Sequence, residues 1–183
     1  MKYLTINELE GLLAAVDTPR HKLMLKVAFL HGLRVSELIG LTTKNIQDGY
    51  LTVKRLKGSQ KTTQPLQEEG SEITGLFNER EEINALVLTL RPGDRLFPMT
   101  RWGVYKLMKR AGKRAGIPEH KLFPHALKHS IAMQTIHSAG IENVRQWLGH
   151  KSIASTGAYL RVSDEAASRA IGAALHVAGE VRQ

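Results

Sequence analysis

The residues whose types and spacing could perform chemistry lie towards the C-terminal end of the chain. His125 and Lys128 are three residues apart, His150 follows Gly149, and Tyr159 comes nine residues after that histidine. Histidine and lysine supply positive charge and hydrogen-bond donors, and a tyrosine hydroxyl can act as a nucleophile. This arrangement could bind a phosphate group and attack it.

Three predicted helices would position these side chains. A helix from Pro124 to about Ser138 carries the His–Lys pair on one face near its N-terminus, where free N–H groups and the helix dipole favour an anion. A second helix, lined by Ile141, Val144 and Leu148, stops before the later histidine. Ser152 can cap a short third helix that carries the tyrosine.

Two further cations lie earlier in the chain. Arg34 directly precedes a short predicted helix, on a turn from which it can point into a cleft, although an ordinary surface arginine paired with Glu37 fits the same residues. Lys57 lies at the tip of a hairpin between predicted strands at 50–53 and 62–66. From there its long side chain can reach a neighbouring site, but a solvated hairpin lysine would look the same.

Attack on a phosphodiester requires a nucleophile, cations around the non-bridging oxygens and a proton donor for the leaving oxygen. Tyr159 can be the nucleophile, although a phenol with a pKa of about 10 needs help from its neighbours. Arg34, His125 and Lys128 can supply positive charge, and Lys57 can supply a proton. A tyrosine packed on a helix is the alternative for Tyr159.

The charge distribution favours a polyanionic partner. The chain carries 26 basic and 17 acidic residues, a net charge of +9, and its pI is about 9.9. Residues 101–128 carry a net charge of +7, whereas residues 68–94 carry −5. Such a chain presents one face to a phosphate backbone, or else has two solvated helix faces. The candidate DNA-binding residues are Lys106, Lys109, Arg110, Lys113, Arg114 and His129.

Several other classes of protein are disfavoured. The chain has no cysteine, so it has no disulfide framework and no thiolate metal site. His125 and His129 share a helix face, but there is no glutamate of an HExxH motif, and no metal is predicted. The sequence has no Gly-rich phosphate-binding loop of the G-x-x-x-x-G-K type, so ATP binding is not predicted. No apolar run approaches the roughly 20 residues that span a bilayer. We expect one cytoplasmic domain over residues 1–183.

The remaining pattern is mostly helical. Thr5 and Glu8 have the spacing of a capping box. A short third strand is predicted at Arg95–Pro98. The further predicted helices are at 5–17, 20–30, 36–41, 81–90, 100–115 and 164–178.

Taken together, five pieces in order resemble the tyrosine recombinase (phage integrase) family. They are Gly32-Leu33-Arg34-Val35-Ser36-Glu37-Leu38, Lys57-Gly58, His125-Ala126-Leu127-Lys128-His129, Leu148-Gly149-His150 and Tyr159. The resemblance implies a mainly α catalytic domain with a small antiparallel β-sheet (α+β). It also implies DNA cleavage and rejoining through a 3′-phosphotyrosyl link to Tyr159, with Lys57 as proton donor. Arg34, His125, Lys128 and His150 would bind the phosphate. No cofactor is needed, because the covalent link stores the bond energy.

Two departures from the family are visible. The second arginine of the family is Lys128 here, and a lysine cannot form the bidentate fork, so we expect reduced activity. The chain also begins almost at the catalytic domain, so the N-terminal core-binding domain of the family is expected to be absent. A fragment of a longer enzyme and a naturally short enzyme both fit this expectation.

The resemblance implies double-stranded DNA as partner, a monomer free in solution and a tetramer on synapsed DNA. In that tetramer the helix at 164–178 would dock on a neighbouring protomer, although docking on its own protomer would look the same. Two alternatives stay open: DNA relaxation like that of type IB topoisomerases, and a non-catalytic DNA-binding or regulatory relative.

Overall fold

The computed structural model describes residues 2–55, 60–68 and 78–157. Within these ranges the chain is mainly helical, with one small antiparallel sheet, and the predicted fold class is confirmed. The helices are α1 (Ile6–Ala14), α2 (Pro19–Leu30), α3 (Val35–Ile39), α4 (Arg80–Leu88), α5 (Arg101–Arg114), α6 (Pro124–Ala139), α7 (Ile141–Leu148) and α8 (Ala154–Gly157). The strands are β1 (Ile46–Gln47), β2 (Tyr50–Val53) and β3 (Thr62–Pro65). The predicted helix at 164–178 lies outside the described residues.

The sheet has the order β1-β2-β3, and each neighbouring pair is antiparallel. Asp48 and Gly49 connect β1 to β2, and both have positive φ angles, of 50° and 79°. This is the geometry that makes an Asp-Gly pair a strong hairpin signal. The second hairpin, between β2 and β3, is the one that carries Lys57 in the sequence.

The prediction of a third strand at Arg95–Pro98 is wrong. Arg95 forms a single isolated bridge with Thr42, and the third strand of the sheet is β1 instead. Met99 N donates to Phe97 O over 2.8 Å, so the chain turns at Pro98, which has no N–H to donate to a ladder.

Helix α2 lies at the centre of the fold and contacts α1, α3, α4 and α6. All eight residues from Leu23 to Leu30 are buried, so the apolar stripe predicted from the sequence understates how much of this helix is enclosed. A helix buried all round must pair its polar residues, and Lys26 does so with the Glu82 carboxylate and the carbonyl oxygen of Asn78. This central helix ends at the candidate site.

The helix boundaries follow the predicted signals. The capping box of α1 is present: Thr5 N donates to Glu8 Oε2 over 2.8 Å, and Glu8 N donates to Thr5 Oγ1 over 3.2 Å. Helix α6 begins at Pro124, as its sequence indicated. No helix in the described ranges is long and apolar enough to cross a bilayer.

Candidate active site

Four of the six predicted catalytic residues come together where helices begin or end. Arg34 precedes α3, His125 lies in the first turn of α6 with Lys128 three residues further on, and His150 follows α7. Burial is the main cause that lowers the pKa of each histidine, and the charges of Lys128 and Arg34 lower both pKa values as well, so the four side chains form one electrostatic cluster. Two predicted residues lie outside the described part of the chain: Lys57 and Tyr159.

Two glycines allow the ends of α2 and α7 to approach one another. Gly32 follows α2 with a φ of +56°, and a Cβ there would lie 2.4 Å from the Leu148 side chain. Gly149 follows α7 with a φ of +68°, and a Cβ there would lie 2.8 Å from Cγ of Arg55. Positive φ and close contact both exclude a larger residue. These glycines therefore belong to the packing that brings the predicted site residues together.

Glu37 orients Arg34. The backbone N of Arg34 donates to Oε2 of Glu37 over 2.8 Å, and Nη1 donates to Oε1 over 2.9 Å. The Glu37 side chain is fully buried, whereas 25% of the Arg34 side chain is exposed. The pairing of Arg34 with Glu37 is therefore not that of an ordinary surface arginine. A buried carboxylate holds the guanidinium at the edge of solvent.

A second guanidinium, that of Arg55, lies behind this pair. Its side chain is completely buried, and Nη1 lies 3.3 Å from Oε2 of Glu37. Burial lowers the pKa of Arg55, while the Glu37 carboxylate opposes that effect. One buried carboxylate is thus shared between an arginine at the surface of the site and an arginine beneath it.

Lys128 is buried and bound to the C-terminal ends of two helices. Its Nζ donates to the carbonyl oxygens of Gly32 and Leu148, each over 3.0 Å. Leu148 is the last residue of α7, so its carbonyl carries the negative end of that helix dipole, which favours a cation. Gly32 directly follows the C-cap of α2. Burial and, after it, the nearby Arg55 charge lower the pKa of Lys128 to about 7. The predicted contact between Lys128 and a phosphate stays a prediction.

An open cleft of about 610 Å³ lies in front of Arg34. Arg34 and His125 face it, and so does Arg101, from the first turn of α5. The N-terminus of α6 forms part of the wall, so helix-dipole charge adds to that of the side chains. The lining residues are Arg34, Val35, Ser36, Arg101, Phe123, Pro124 and His125. The cleft is suited to an anion.

His125 packs edge-on against His129, with ring centroids 4.5 Å apart. Burial lowers the pKa of His125 to about 4, and the charges of His129, Lys128 and Arg34 act in the same direction. Burial, followed by the Lys128 charge, also lowers the pKa of His129. At pH 7 His125 is therefore a neutral hydrogen-bonding group. His129 is half-buried and packs against His125. Its role in DNA binding stays a prediction.

His150 is held from two sides. Its Nδ1 lies 2.9 Å from Oγ1 of Thr156, and its carbonyl oxygen accepts from Nη1 of Arg145 over 2.8 Å. Burial lowers the pKa of His150 to about 4, with the charge of Lys128 as the next cause. The neutral ring donates through only one nitrogen. If the Thr156 hydroxyl donates to Nδ1, the Nε2–H remains available for an incoming phosphate oxygen.

Four of the five predicted DNA-binding residues of α5 border one groove beside that helix. An open groove of about 640 Å³ is bordered by Lys106, Lys109, Arg110 and Lys113. Lys109 also binds Glu119, over 3.0 Å. Arg114 is held apart from this group, because both of its terminal nitrogens donate to Asp17 over 2.7 Å. Binding of DNA by these five residues stays a prediction.

Sequence reasoning did not identify Arg55 or Thr156, and it treated Glu37 only as a surface partner. Glu37 carries a usable signal, since it lies three residues after Arg34, the spacing of a capping box. Thr156 lies three residues before Tyr159 but matches no motif. Arg55 has no local signal, because its partners come from distant parts of the chain. In the described ranges, no group of three or more histidines and carboxylates could hold a metal ion.

The family model described as "Phage integrase family" matches residues 2–166. Among curated proteins, tyrosine recombinase XerD of Pseudomonas putida is 34% identical over 176 residues, which cover 88% of this chain and 58% of XerD. The chain thus spans a little over half the length of that relative.

The fold matches that of several solved structures. The XerH site-specific recombinase bound to its difH substrate has a TM-score of 0.74 at 22% identity, over 93% of this chain and 54% of XerH. The catalytic domain of bacteriophage HP1 integrase has a TM-score of 0.67 at 24% identity, over 94% of both chains.

Proposed function

The chain belongs to the phage integrase family, and from that premise we propose that it is the catalytic domain of a site-specific DNA recombinase. Its substrate is double-stranded DNA, which it cleaves and rejoins through a 3′-phosphotyrosyl intermediate. The observation that carries the proposal is the clustering of Arg34, His125, Lys128 and His150 beside an open cleft. Arg34, His125 and Arg101 line that cleft. XerH, which shares the fold, is described in complex with its DNA substrate.

The proposed reaction conserves the number of phosphoester bonds. The phenolic oxygen of Tyr159 gives up its proton to solvent and attacks the scissile phosphorus, and the bond from phosphorus to the 5′ oxygen breaks. Lys57 gives a proton to the departing oxygen, which becomes a free 5′ hydroxyl. Attack of a 5′ hydroxyl on the phosphotyrosine then reverses these steps. Rejoining therefore requires no nucleotide cofactor.

The four clustered residues would stabilise the charge that develops on the phosphate. Arg34 offers a guanidinium already oriented by Glu37, so little reorganisation is needed at the moment of reaction. His125 and His150 are neutral at pH 7 and would act as hydrogen-bond donors. A bound phosphate would favour the charged form of Lys128, whose pKa in the free protein is about 7.

The same proposal covers the assembly. The groove along α5 would lie against the phosphate backbone, and the domain would be monomeric alone and tetrameric on two synapsed sites. The helix predicted at 164–178 would join neighbouring protomers in that tetramer. We place the protein in the cytoplasm, associated with the nucleoid.

The test uses suicide duplexes from the DNA flanking the gene. Each duplex is nicked near a possible cleavage point, so that the short 5′ fragment diffuses away and rejoining is blocked. A covalent protein–DNA adduct on a denaturing gel supports the proposal. If the protein binds these duplexes but forms no adduct, it is a binding protein instead.

A further inference from the structure

The buried guanidinium of Arg55 makes contacts that use all five of its N–H donors. Nε donates to Oγ1 of Thr62 over 2.9 Å, and Nη1 donates to the carbonyl oxygen of Gly32 over 3.1 Å and to Glu37 over 3.3 Å. Nη2 donates to the carbonyl oxygens of His31 over 2.8 Å and of Trp147 over 3.0 Å. A group so fully engaged is fixed in one orientation.

These acceptors come from the elements that surround the candidate site. His31 and Gly32 follow α2, Trp147 lies at the end of α7, Glu37 lies on α3 and Thr62 begins β3. Arg55 therefore joins two helix C-termini, where a cation is favoured, to the carboxylate that orients a catalytic arginine. It also shares the Gly32 oxygen with Lys128.

We propose that Arg55 is a positioning residue for DNA cleavage: it fixes Glu37, and through Glu37 it fixes Arg34 at the edge of the cleft. This inference rests on the proposed function. Arg55 has no exposed side-chain surface, so it does not meet the substrate itself. It also donates to Thr62, the first residue of β3, and it lies two residues before Lys57 in the sequence.

Lysine cannot replace Arg55. The acceptors surround a planar fork, whereas an ammonium group places three donors on one atom. We expect Arg55→Lys and Arg55→Met to slow adduct formation at saturating DNA by about 100-fold or more, because small displacements of catalytic groups cost that much. DNA affinity should change by only a few-fold.

Arg20 offers a matched control. Its guanidinium also binds two carbonyl oxygens, those of Leu96 over 2.8 Å and Arg95 over 3.0 Å, away from the site. Arg20→Met should lower the melting temperature and leave the adduct rate within about three-fold of wild type. A rate change of that size is no larger than the loss of a single hydrogen bond would cause. The inference is overturned if Arg55→Met and Arg20→Met, compared at equal distance below their melting temperatures, slow adduct formation equally.

A second readout needs no cleavage activity. The side-chain Nε–H signal of Arg34 in a nitrogen-15 NMR spectrum is identified by its loss in Arg34→Lys. We expect Arg55→Lys to shift this signal and speed its exchange with water, and Arg20→Met to leave it unchanged. An Arg34 signal that Arg55→Lys leaves as in wild type overturns the inference, even with normal folding. Absence of any adduct from wild-type protein counts instead against the proposed function, and the NMR result then decides the role of Arg55.

Discussion

Lys128 Nζ donates to the carbonyl oxygen of Leu148 over 3.0 Å, which ties the start of α6 to the last residue of α7. Lys128, which is predicted to bind a phosphate, therefore also makes a structural contact between two helices. His150, two residues after Leu148, is set in place by the same helix end. Any phosphate that binds Lys128 must therefore share its ammonium group with backbone carbonyls.

We expect Lys128→Arg to preserve or raise the rate of adduct formation. A guanidinium can donate to a carbonyl and still present two parallel N–H groups to a phosphate, which a lysine cannot do. The measurement is the adduct rate at saturating suicide duplex. Lys121→Arg, which alters the half-buried pair with Glu8, controls for the general effect of the change. A rate below wild type for Lys128→Arg alone would contradict this expectation.

Burial of Lys128 also predicts how stability depends on pH. Its pKa is about 7 in the folded protein and about 10.4 in an unfolded chain. Between these two pKa values the unfolded state binds one proton more than the folded state. The contribution of Lys128 to the free energy of unfolding therefore rises with pH, by about 1.4 kcal/mol per pH unit. This contribution is fully present above the pKa of Lys128 in the unfolded chain, and it is lost as the pH falls to the folded-state pKa of about 7.

Urea unfolding at pH 7.5 and 9.5 tests this dependence. The free energy of unfolding should rise more steeply with pH for wild type than for Lys128→Met, in which the group is absent. Equal slopes for the two proteins would mean that the folded protein keeps Lys128 charged over this range.

Glu37→Gln should slow adduct formation by about 100-fold or more, because Arg34 loses the carboxylate that orients it. It should also destabilise the protein by about 3–5 kcal/mol, since the buried Arg55 charge loses its counter-ion. Both values come from suicide-duplex assays and chemical unfolding.

Glu8→Gln is the matched control for this change. Glu8 holds the same position in the capping box of α1 and binds a lysine, but it lies outside the site. We expect it to reduce stability only slightly and to leave the adduct rate near that of wild type. Similar losses of rate in both variants would mean that Glu37 acts only as a helix cap and does not orient Arg34 for cleavage.

Thr156→Val should reduce the adduct rate by about 10–100-fold, which corresponds to the 1–3 kcal/mol of one buried hydrogen bond. Valine keeps the shape of threonine but cannot form the hydrogen bond to Nδ1 of His150, which lies 2.9 Å from the threonine hydroxyl. Thr156→Ser keeps the hydroxyl and should retain most of the activity. If serine and valine behave alike, the size of the side chain matters and the hydroxyl does not.

Much of the framework could be predicted because its signals are local. The capping box at Thr5, the Asp48-Gly49 turn and the start of α6 at Pro124 each depend on neighbouring residues. The two-residue strand β1 was missed, because so short a segment has no period of its own to read.

The site shows the same division. Motifs predicted Arg34, His125, Lys128 and His150 as site residues, and the structure places these four near one another. Arg55 was not predicted, because its partners lie between 7 and 92 residues away and meet only when the helix ends pack together. Burial of Lys128 depends on the same packing, so its lowered pKa could not be predicted from its place on α6.

The central claim is that Tyr159 forms the covalent link to DNA. The most direct measurement is the suicide-duplex adduct formed by wild type, Tyr159→Phe and Tyr50→Phe, followed by proteolysis and mass spectrometry of the peptide that keeps the nucleotide. Tyr50 is a matched control, since it is an exposed tyrosine on β2. We predict an adduct with wild type and Tyr50→Phe, none with Tyr159→Phe, and a modified peptide that contains Tyr159. An undiminished adduct in Tyr159→Phe, or a nucleotide on another residue, would contradict the proposed mechanism.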